Sequence, residues 1–398
     1  MHRDCKNIDL TNWKTLLPWV HDCISRHKKR HDFRWLLTHH GLSAEDYYAA
    51  LHSGRTDMLL PAIESIAKEA AQRIYERDLE GIPAPRIKTM VDVSSGKTRR
   101  IGCESAMQQV MDFIAVFAAM PIFERRISMH QASSMQGRGP VYGMRIIRKW
   151  IQNDNRAIRW AKSHQRRYTS KCRHHVKLDV YQCFPSCRME KFLVLFARDC
   201  GNEDLLWLWT ELLKRHLVDG NLGFMIGALV SQWAAQYLLS FLYARAMSCH
   251  KMRGQKSIKC VSHMLMFMDD MLLIGSNRRR LEYAVEDLIR YARDTLGLTI
   301  KPNWQIMELK GTCGIDMMGF VVYRTGKVSI RGRVFVRSRR MAMRCHRQGG
   351  TLSSRQARRI ASYKGYYKHS NSRYAVKSLG MHGVFTVAEA ITSKEART

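Results

Sequence analysis

Apolar positions along the chain follow two periods. Helical spacing at Leu10, Trp13, Leu16, Leu17 and Val20, and again at Leu59, Ile63, Ile66, Ala67, Ala70 and Ile74, predicts amphipathic helices near the start. Thr56 or Asp57 is placed to cap the second, with Pro61 in its first turn, where proline is tolerated. Pro83 and Pro85 break this pattern. Arg86 to Val93 and Lys97 to Ile101, around Ser94-Ser95-Gly96, then predict a β-hairpin. Ala106 to Phe123 predicts one mainly apolar helix. Further helices are expected over Met189 to Phe196, over Asp204 to Leu217, and from a glycine-containing loop through about Met247, with Ser231 a candidate N-cap. Leu281, Ala284, Val285, Leu288, Ile289 and Ala292 form another stripe, after which Leu296 to Lys301 predicts a return strand.

Two short apolar runs carry acids, and they change the picture. Met264 to Ile274 reads as two buried strands with Asp269 and Asp270 at the turn between them. His175 to Ser186 is a second β-prone run, with Asp179 at its end. An Asp-Asp pair in a hairpin serves equally as a plain polar turn, and Asp179 alone as a strand-end cap. Buried carboxylates nevertheless cost several kcal/mol unless a cation offsets them, and hard oxygen ligands suit Mg²⁺. Carboxylates from separate strands are what two-metal phosphoryl transfer requires. Asp179 with Asp269 would hold two Mg²⁺ ions, Asp270 would support them, and the Val180 carbonyl would add a ligand.

Charge narrows the partner. The 398 residues carry a formal net charge of +32, far more than solubility requires, which points to a polyanion. An anionic membrane surface competes as a reading, but no long basic amphipathic helix stands out. From Arg125 through Leu178 the only acid is Asp154, amid many arginines and lysines interleaved with Trp150, Trp160 and Tyr168. That pattern suits an RNA contact surface. From Met317 through Ala388 there is no acid at all. The return strand of the predicted hairpin bears Lys97, Arg99 and Arg100, suited to phosphate or, equally, to a solvated edge. Eleven cysteines without paired Cys-x-x-Cys spacing fit free thiols in a reducing compartment. Cys172, His174, His175, Cys183 and Cys187 match no common zinc spacing. The charged N-terminus does not read as a signal peptide, and no run of about 18 apolar residues predicts a membrane span.

The motifs in order resemble those of reverse transcriptases. Phe267-Met268-Asp269-Asp270 resembles their aromatic-x-Asp-Asp box, with Phe where many members have Tyr. Asp179 followed by Phe184 resembles the first catalytic box, in which the aromatic residue gates against the ribose 2′-hydroxyl. Lys97-x-Arg99-x-Ile101 resembles the fingers hairpin that contacts the incoming triphosphate. Met120-Pro121-Ile122-Phe123-Glu124 and the Gly-rich 134–139 segment also match. Lys301 falls where a lysine is proposed to protonate pyrophosphate. Met318, Gly319 and Phe320 resemble the primer-grip turn, and Ser362-x-x-Gly365 a thumb segment. Where most relatives carry Gln-Gly-x-x-x-Ser-Pro, this chain has Ile226, Gly227, Ser231 and Gln232 as Ile-Gly-x-x-x-Ser-Gln, a variant characteristic of diversity-generating retroelement enzymes. Ala228 departs from the Asn frequent there.

The resemblance implies an α+β right-hand polymerase: a helical N-terminal extension over 1–85, fingers over 86–175, a palm with an antiparallel sheet over 176–323, and a helical thumb with the tail over 324–398. It implies RNA-directed DNA synthesis with two Mg²⁺ ions, on a template-repeat RNA, with misincorporation opposite adenine. Ile226 and Gln232 would lie near the template base and influence fidelity. Expected partners are the structured template RNA, the cDNA and its RNA–DNA duplex, dNTPs and a small basic oligomeric accessory protein, with no membrane and a cytoplasmic location in a bacterial or phage-infected cell. No endonuclease or RNase H signature is expected beyond the thumb. The rival readings are an antiphage-defence or retron-like reverse transcriptase using a dedicated non-coding RNA, and a non-catalytic RNA-binding scaffold.

Overall fold

The structure, a computed structural model, describes residues 3–91, 96, 98–133, 135–217 and 223–395. It is a mixed helix and sheet protein in which helices predominate. The chain forms two compact units, each assembled from three separated segments. The first comprises Met1–Ser128, Val180–Leu242 and Ile289–Ile300; the second comprises Met129–Asp179, Tyr243–Leu288 and Lys301–Thr398.

In the first unit the stripes become helices Trp13–His27, His31–His39, Ala44–Ser53 and Leu60–Glu76. Asn12 caps the first through the Lys14 amide, and Ser43 caps the third through Asp46. Neither Thr56 nor Asp57 caps the fourth: Thr56–Leu59 is a 3₁₀ turn feeding it, with Pro61 in the first turn. The hairpin is β1 (Arg86–Val91) and β2 (Thr98–Cys103), pairing Met90 with Arg99. Val93, Ser94, Ser95 and Lys97 lie outside the described residues.

The apolar stretch after the hairpin is two helices, Ala106–Ala118 and Met120–Arg126, bent by 55°. Pro121 lacks an N–H and its ring crowds the carbonyl four residues back, which favours a break at this point. The core around them is aromatic. Phe123, Phe192, Phe196, Trp209 and Tyr237 are each fully buried and in mutual ring contact. Each large side chain contributes roughly 1.5–3 kcal/mol by leaving water. Their polar ends are satisfied: Trp209 Nε1 donates to the Ala115 carbonyl at 3.1 Å and the Tyr237 hydroxyl to Asp199 at 2.7 Å. The expected return strand over Leu296 to Lys301 is reduced to one isolated bridge between Val180 and Ile300. Gly297, at φ +68°, and Pro302, which has no N–H to donate, leave no room for a longer ladder.

The second unit holds an antiparallel four-stranded sheet made from β3 (His174–Asp179), β6 (His263–Phe267), β7 (Asp270–Gly275) and β8 (Met307–Glu308), in the order β6-β7-β3-β8. Before β6 in sequence lies a hairpin that the hydrophobic pattern did not predict, β4 (His250–Arg253) and β5 (Lys256–Lys259). Its residues are almost all polar, so it shows no apolar alternation. A three-stranded sheet comes later in the chain, from β9 (Ile315–Met317), β10 (Phe320–Val322) and β11 (Val328–Ile330). Helix Pro140–Ser163 buries Met144, Ile147, Trp150 and Ile151 with Leu265, Leu272 and Phe320. Helices Gly332–Arg347, Ser354–Lys368 and Met381–Glu395 share a second apolar core around Met341, Ile360, Tyr367 and Phe385. Ser353 and Gln356 form a reciprocal capping box at the start of Ser354–Lys368. Among the described residues no single helix is long and apolar enough to cross a membrane.

Candidate functional site

The two acid-bearing runs become adjacent strands of one sheet. Leu272 and Leu273 point to opposite faces of β7 and both are buried, as are Val176 and Leu178 of β3 and Leu265 of β6, so the sheet is covered on both faces. The strand register sets Asp179 opposite Asp270, and Asp270 opposite Phe267. Met268 and Asp269 make the two-residue turn, with Met268 at φ +53°. The turn is fastened from outside the sheet. Met268 N–H donates to Ser133 Oγ at 2.8 Å, Ala132 N–H to the Met266 carbonyl at 2.8 Å, and Met266 N–H to the His130 carbonyl at 2.9 Å.

Lys301 joins this group twice. Its amide donates to the Asp179 carbonyl at 2.9 Å, and its ammonium lies 2.5 Å from Asp179 Oδ1. The latter is a close ion pair on a carboxylate oxygen that is shielded from water. Asp179 holds the Lys301 ammonium above the ordinary lysine range, with burial acting against it and Asp269 and Asp270 adding to it. Burial, then the Asp269 charge, pushes the Asp270 carboxyl up, with Asp179 adding and Lys177 opposing. Crowded carboxylates of this kind, one with a shielded oxygen, have the donor chemistry of a hard divalent cation site. Among the described residues no three His, Cys, Asp or Glu side chains stand in finished ligand geometry, and the cation at Asp179 is Lys301.

Met318 and Gly319 form a tight turn between β9 and β10 in the same unit, and Phe320 opens β10. Met318 and Gly319 have φ of +55° and +85°. A Cβ on Gly319 would lie 2.4 Å from Tyr366 Cε1, so only glycine lets helix Ser354–Lys368 approach. Phe320 and Tyr366 rings stand 5.0 Å apart. The Gly319 carbonyl accepts from the Arg331 amide at 2.9 Å.

The remaining expected site residues lie in the first unit. Arg99 is on β2, and Lys97 lies outside the described residues. Val180 is buried. Phe184 is half-buried in the short helix Cys183–Ser186, and its carbonyl accepts from Phe224 N–H at 2.9 Å. Ile226 and Gly227 are brought against β2: Gly102 N–H donates to the Ile226 carbonyl at 2.8 Å. Gly227 sits at φ +111°, and a Cβ there would lie 2.8 Å from the Gly102 carbonyl oxygen. Ser231 does not cap helix Leu229–Ser248; it is inside it, and its Oγ accepts from Met225 N–H at 3.1 Å. Gln232 is next on the same helix, half-buried.

Sequence reasoning missed the polar groups beneath this segment. Glu104, Asp112 and His216 are buried around it. The one available signal was Asp112 itself, an acid inside the apolar run Ala106–Ala118. Reasoning also left Asp154 unexplained. It is buried in the second unit and accepts from Tyr168, Ser170 and the Lys171 amide at 3.0, 2.7 and 2.8 Å. Nearby, Trp160 is 53% exposed, stacked on His164 at 4.6 Å, with the Arg166 guanidinium 5.7 Å from its ring.

No family model and no curated protein matches the chain. Among solved structures, it is similar to apo telomerase from Candida tropicalis over 97% of this chain and 86% of that one, at 10% identity and a TM-score of 0.44. The C-terminally truncated form of that telomerase aligns over 71% of this chain and 70% of its own, at 11% identity and a TM-score of 0.41. Telomerase from Candida albicans in complex with a TWJ fragment of telomeric RNA aligns over 88% and 71%, at 10% identity and a TM-score of 0.40.

Proposed function

We propose that this protein is an RNA-directed DNA polymerase of the diversity-generating retroelement type, copying a template-repeat RNA into adenine-mutagenised cDNA. The observation that carries the reading is the pairing of Asp179 with Asp270 across β3 and β7, with Asp269 in the turn and Lys301 on Asp179. The motif order supports the rest, with the 1–85 extension, 86–175 fingers, 176–323 palm and 324–398 thumb as the proposed division.

Asp179, Asp269, Asp270 and the Val180 carbonyl would hold two Mg²⁺ ions, which supply charge neutralisation at the triphosphate and at the attacking 3′-oxygen. The chain's own residues do the rest. Arg99, with Lys97, binds the triphosphate. Phe184 closes the space a ribose 2′-hydroxyl would need. Lys301, a protonated ammonium held beside Asp179, gives its proton to the departing pyrophosphate. Met318, Gly319 and Phe320 position the primer end, and Ile226 and Gln232 border the template base. The basic surfaces bind the template RNA and the RNA–DNA duplex through phosphates.

The test is primer extension on a defined RNA with Mg²⁺ and all four dNTPs, followed by product sequencing. Errors concentrated opposite adenine support the retroelement reading. Even, low errors keep the polymerase and favour a defence or retron-like role. No incorporation, with the cognate RNA and accessory protein also supplied, removes the polymerase.

A further inference from the structure

The Ile226–Gly227 segment rests on a buried polar chain in which Ser231 belongs to the Ile-Gly-x-x-x-Ser-Gln motif and His216 and Glu104 belong to none. Met225 N–H donates to Ser231 Oγ at 3.1 Å. Ser231 Oγ lies 3.1 Å from His216 Nδ1, and His216 Nε2 lies 3.2 Å from Glu104 Oε1. Ser231 and His216 have no exposed surface, and the Glu104 side chain is 4% exposed. A neutral imidazole fits this order, with Nδ1 accepting from the serine hydroxyl and Nε2–H donating to the carboxylate. A parallel contact fastens the next turn: Val230 N–H donates to Asp112 at 3.2 Å.

Glu104 comes directly after β2, and Gly102 on that strand donates to the Ile226 carbonyl. A Cβ on Gly102 would lie 2.2 Å from Met225 Sδ, so only glycine lets the Met225 side chain pack directly on the strand backbone. The relay therefore ties both ends of one contact. Glu104 holds the strand end, Ser231 holds the segment, and His216 joins them.

We infer that Glu104, His216 and Ser231 form a positioning relay that locks the 224–228 segment onto the basic hairpin, so that Arg99 and Ile226 meet an incoming nucleotide as one preformed surface. This rests on the polymerase reading above. His216 and Glu104 touch no substrate; they act through Met225 and Gly102. The groups facing Glu104 are Asp112 from helix Ala106–Ala118, His216 and Arg215 beyond helix Glu203–Lys214, and Arg30 before helix His31–His39. Burial raises the Glu104 carboxyl, with Asp112, Arg215 and Arg30 acting against it.

Two readouts test the relay in the full chain. His216→Ala is expected to raise the dNTP KM about tenfold with little change in kcat or RNA affinity, since it loosens a preformed surface and leaves the carboxylates untouched. Amide exchange at Gly102, Met225 and Val230 should quicken by about tenfold, while helix Leu60–Glu76 keeps its protection. Glu104→Gln retains an acceptor for His216 and should, as a single variant, keep KM within about twofold of wild type, with a flatter pH profile. Unchanged exchange and KM in folded His216→Ala, with an active wild type, overturns the relay and leaves the polymerase reading intact. Accelerated exchange in a chain whose wild type incorporates no nucleotide supports the relay as a clamp and counts against the polymerase reading.

Discussion

Asp154 and Arg324 meet in an ion pair 2.7 Å long inside the second unit, with Asp154 1% and Arg324 21% exposed. The single acid in a long basic stretch is thus a structural anchor. It collects Tyr168, Ser170 and Lys171 around one carboxylate, and Asn155 beside it donates to the Arg324 carbonyl at 2.9 Å.

Asp154→Ala should therefore cost roughly 3–5 kcal/mol, because it strands a largely buried guanidinium as well as the donors of Tyr168, Ser170, Lys171 and Cys172. Urea unfolding measures this. Burial pushes the Asp154 carboxyl up, but Ser170, Lys171, Arg324 and Tyr168 together hold it below its ordinary range. Its contribution is complete above the ordinary aspartate pKa and is lost as pH falls through the depressed folded value. An Asp154→Ala chain as stable as wild type at neutral pH would refute the anchor.

On the proposed polymerase reading, Asp269→Asn should lower nucleotide incorporation on the order of a thousandfold while leaving RNA binding intact, since it replaces a charged hard ligand by a neutral amide of the same size. Primer extension and a filter-binding titration on the same preparation separate the two effects. Loss of RNA binding in a folded Asp269→Asn chain would contradict the role.

Gly319→Ala should destabilise by about 1–3 kcal/mol and shorten extension products, because the methyl group meets Tyr366 and the backbone stays at positive φ. Tyr366→Ala in the same chain should remove the steric part and leave the conformational part. Thermal unfolding of the two single variants and the double variant gives the split; additivity of the two would show that the ring contact is not the cause.

The Glu104 carboxyl is pushed up to about 7, first by burial, with Asp112, Arg215 and Arg30 lowering it. Its folded value exceeds its unfolded one, so stability falls as pH rises from the ordinary glutamate value to about 7. The share lost to this one group is roughly 3 kcal/mol. Glu104→Gln should erase that slope when its unfolding profile is subtracted from wild type. Asp112, also raised by burial, keeps its own slope in both chains. Parallel profiles would mean that Glu104 is not the titrating group.

Where each residue's structural consequence is local, the sequence was readable. The stripe Ile63, Ile66, Ala67, Ala70 and Ile74 has a single buried face, and the acids of β3 and the β6–β7 turn interrupt runs that had to be buried. Features that depended on distant partners were not readable. Glu104 is 112 residues from His216, neither carries a motif, and Ser231, which does, shows nothing in sequence of its contact with His216. The β4–β5 hairpin has too few apolar positions to show a period. The break at Ala119 was signalled by Pro121, yet the apolar residues on both sides mask it in a periodicity reading.

The interleaving of the two units bears on how the protein is made. The first unit is completed only by Ile289–Ile300, and the second only by Lys301–Thr398. The four-stranded sheet cannot close before β7 and β8, the partners of β3, have left the ribosome. Until then, the apolar strand β3 stays without its sheet partners in the nascent polypeptide. Production at lowered temperature, or with a holdase chaperone, should raise the yield of folded protein more than stabilising either core alone, because the delay is set by chain order.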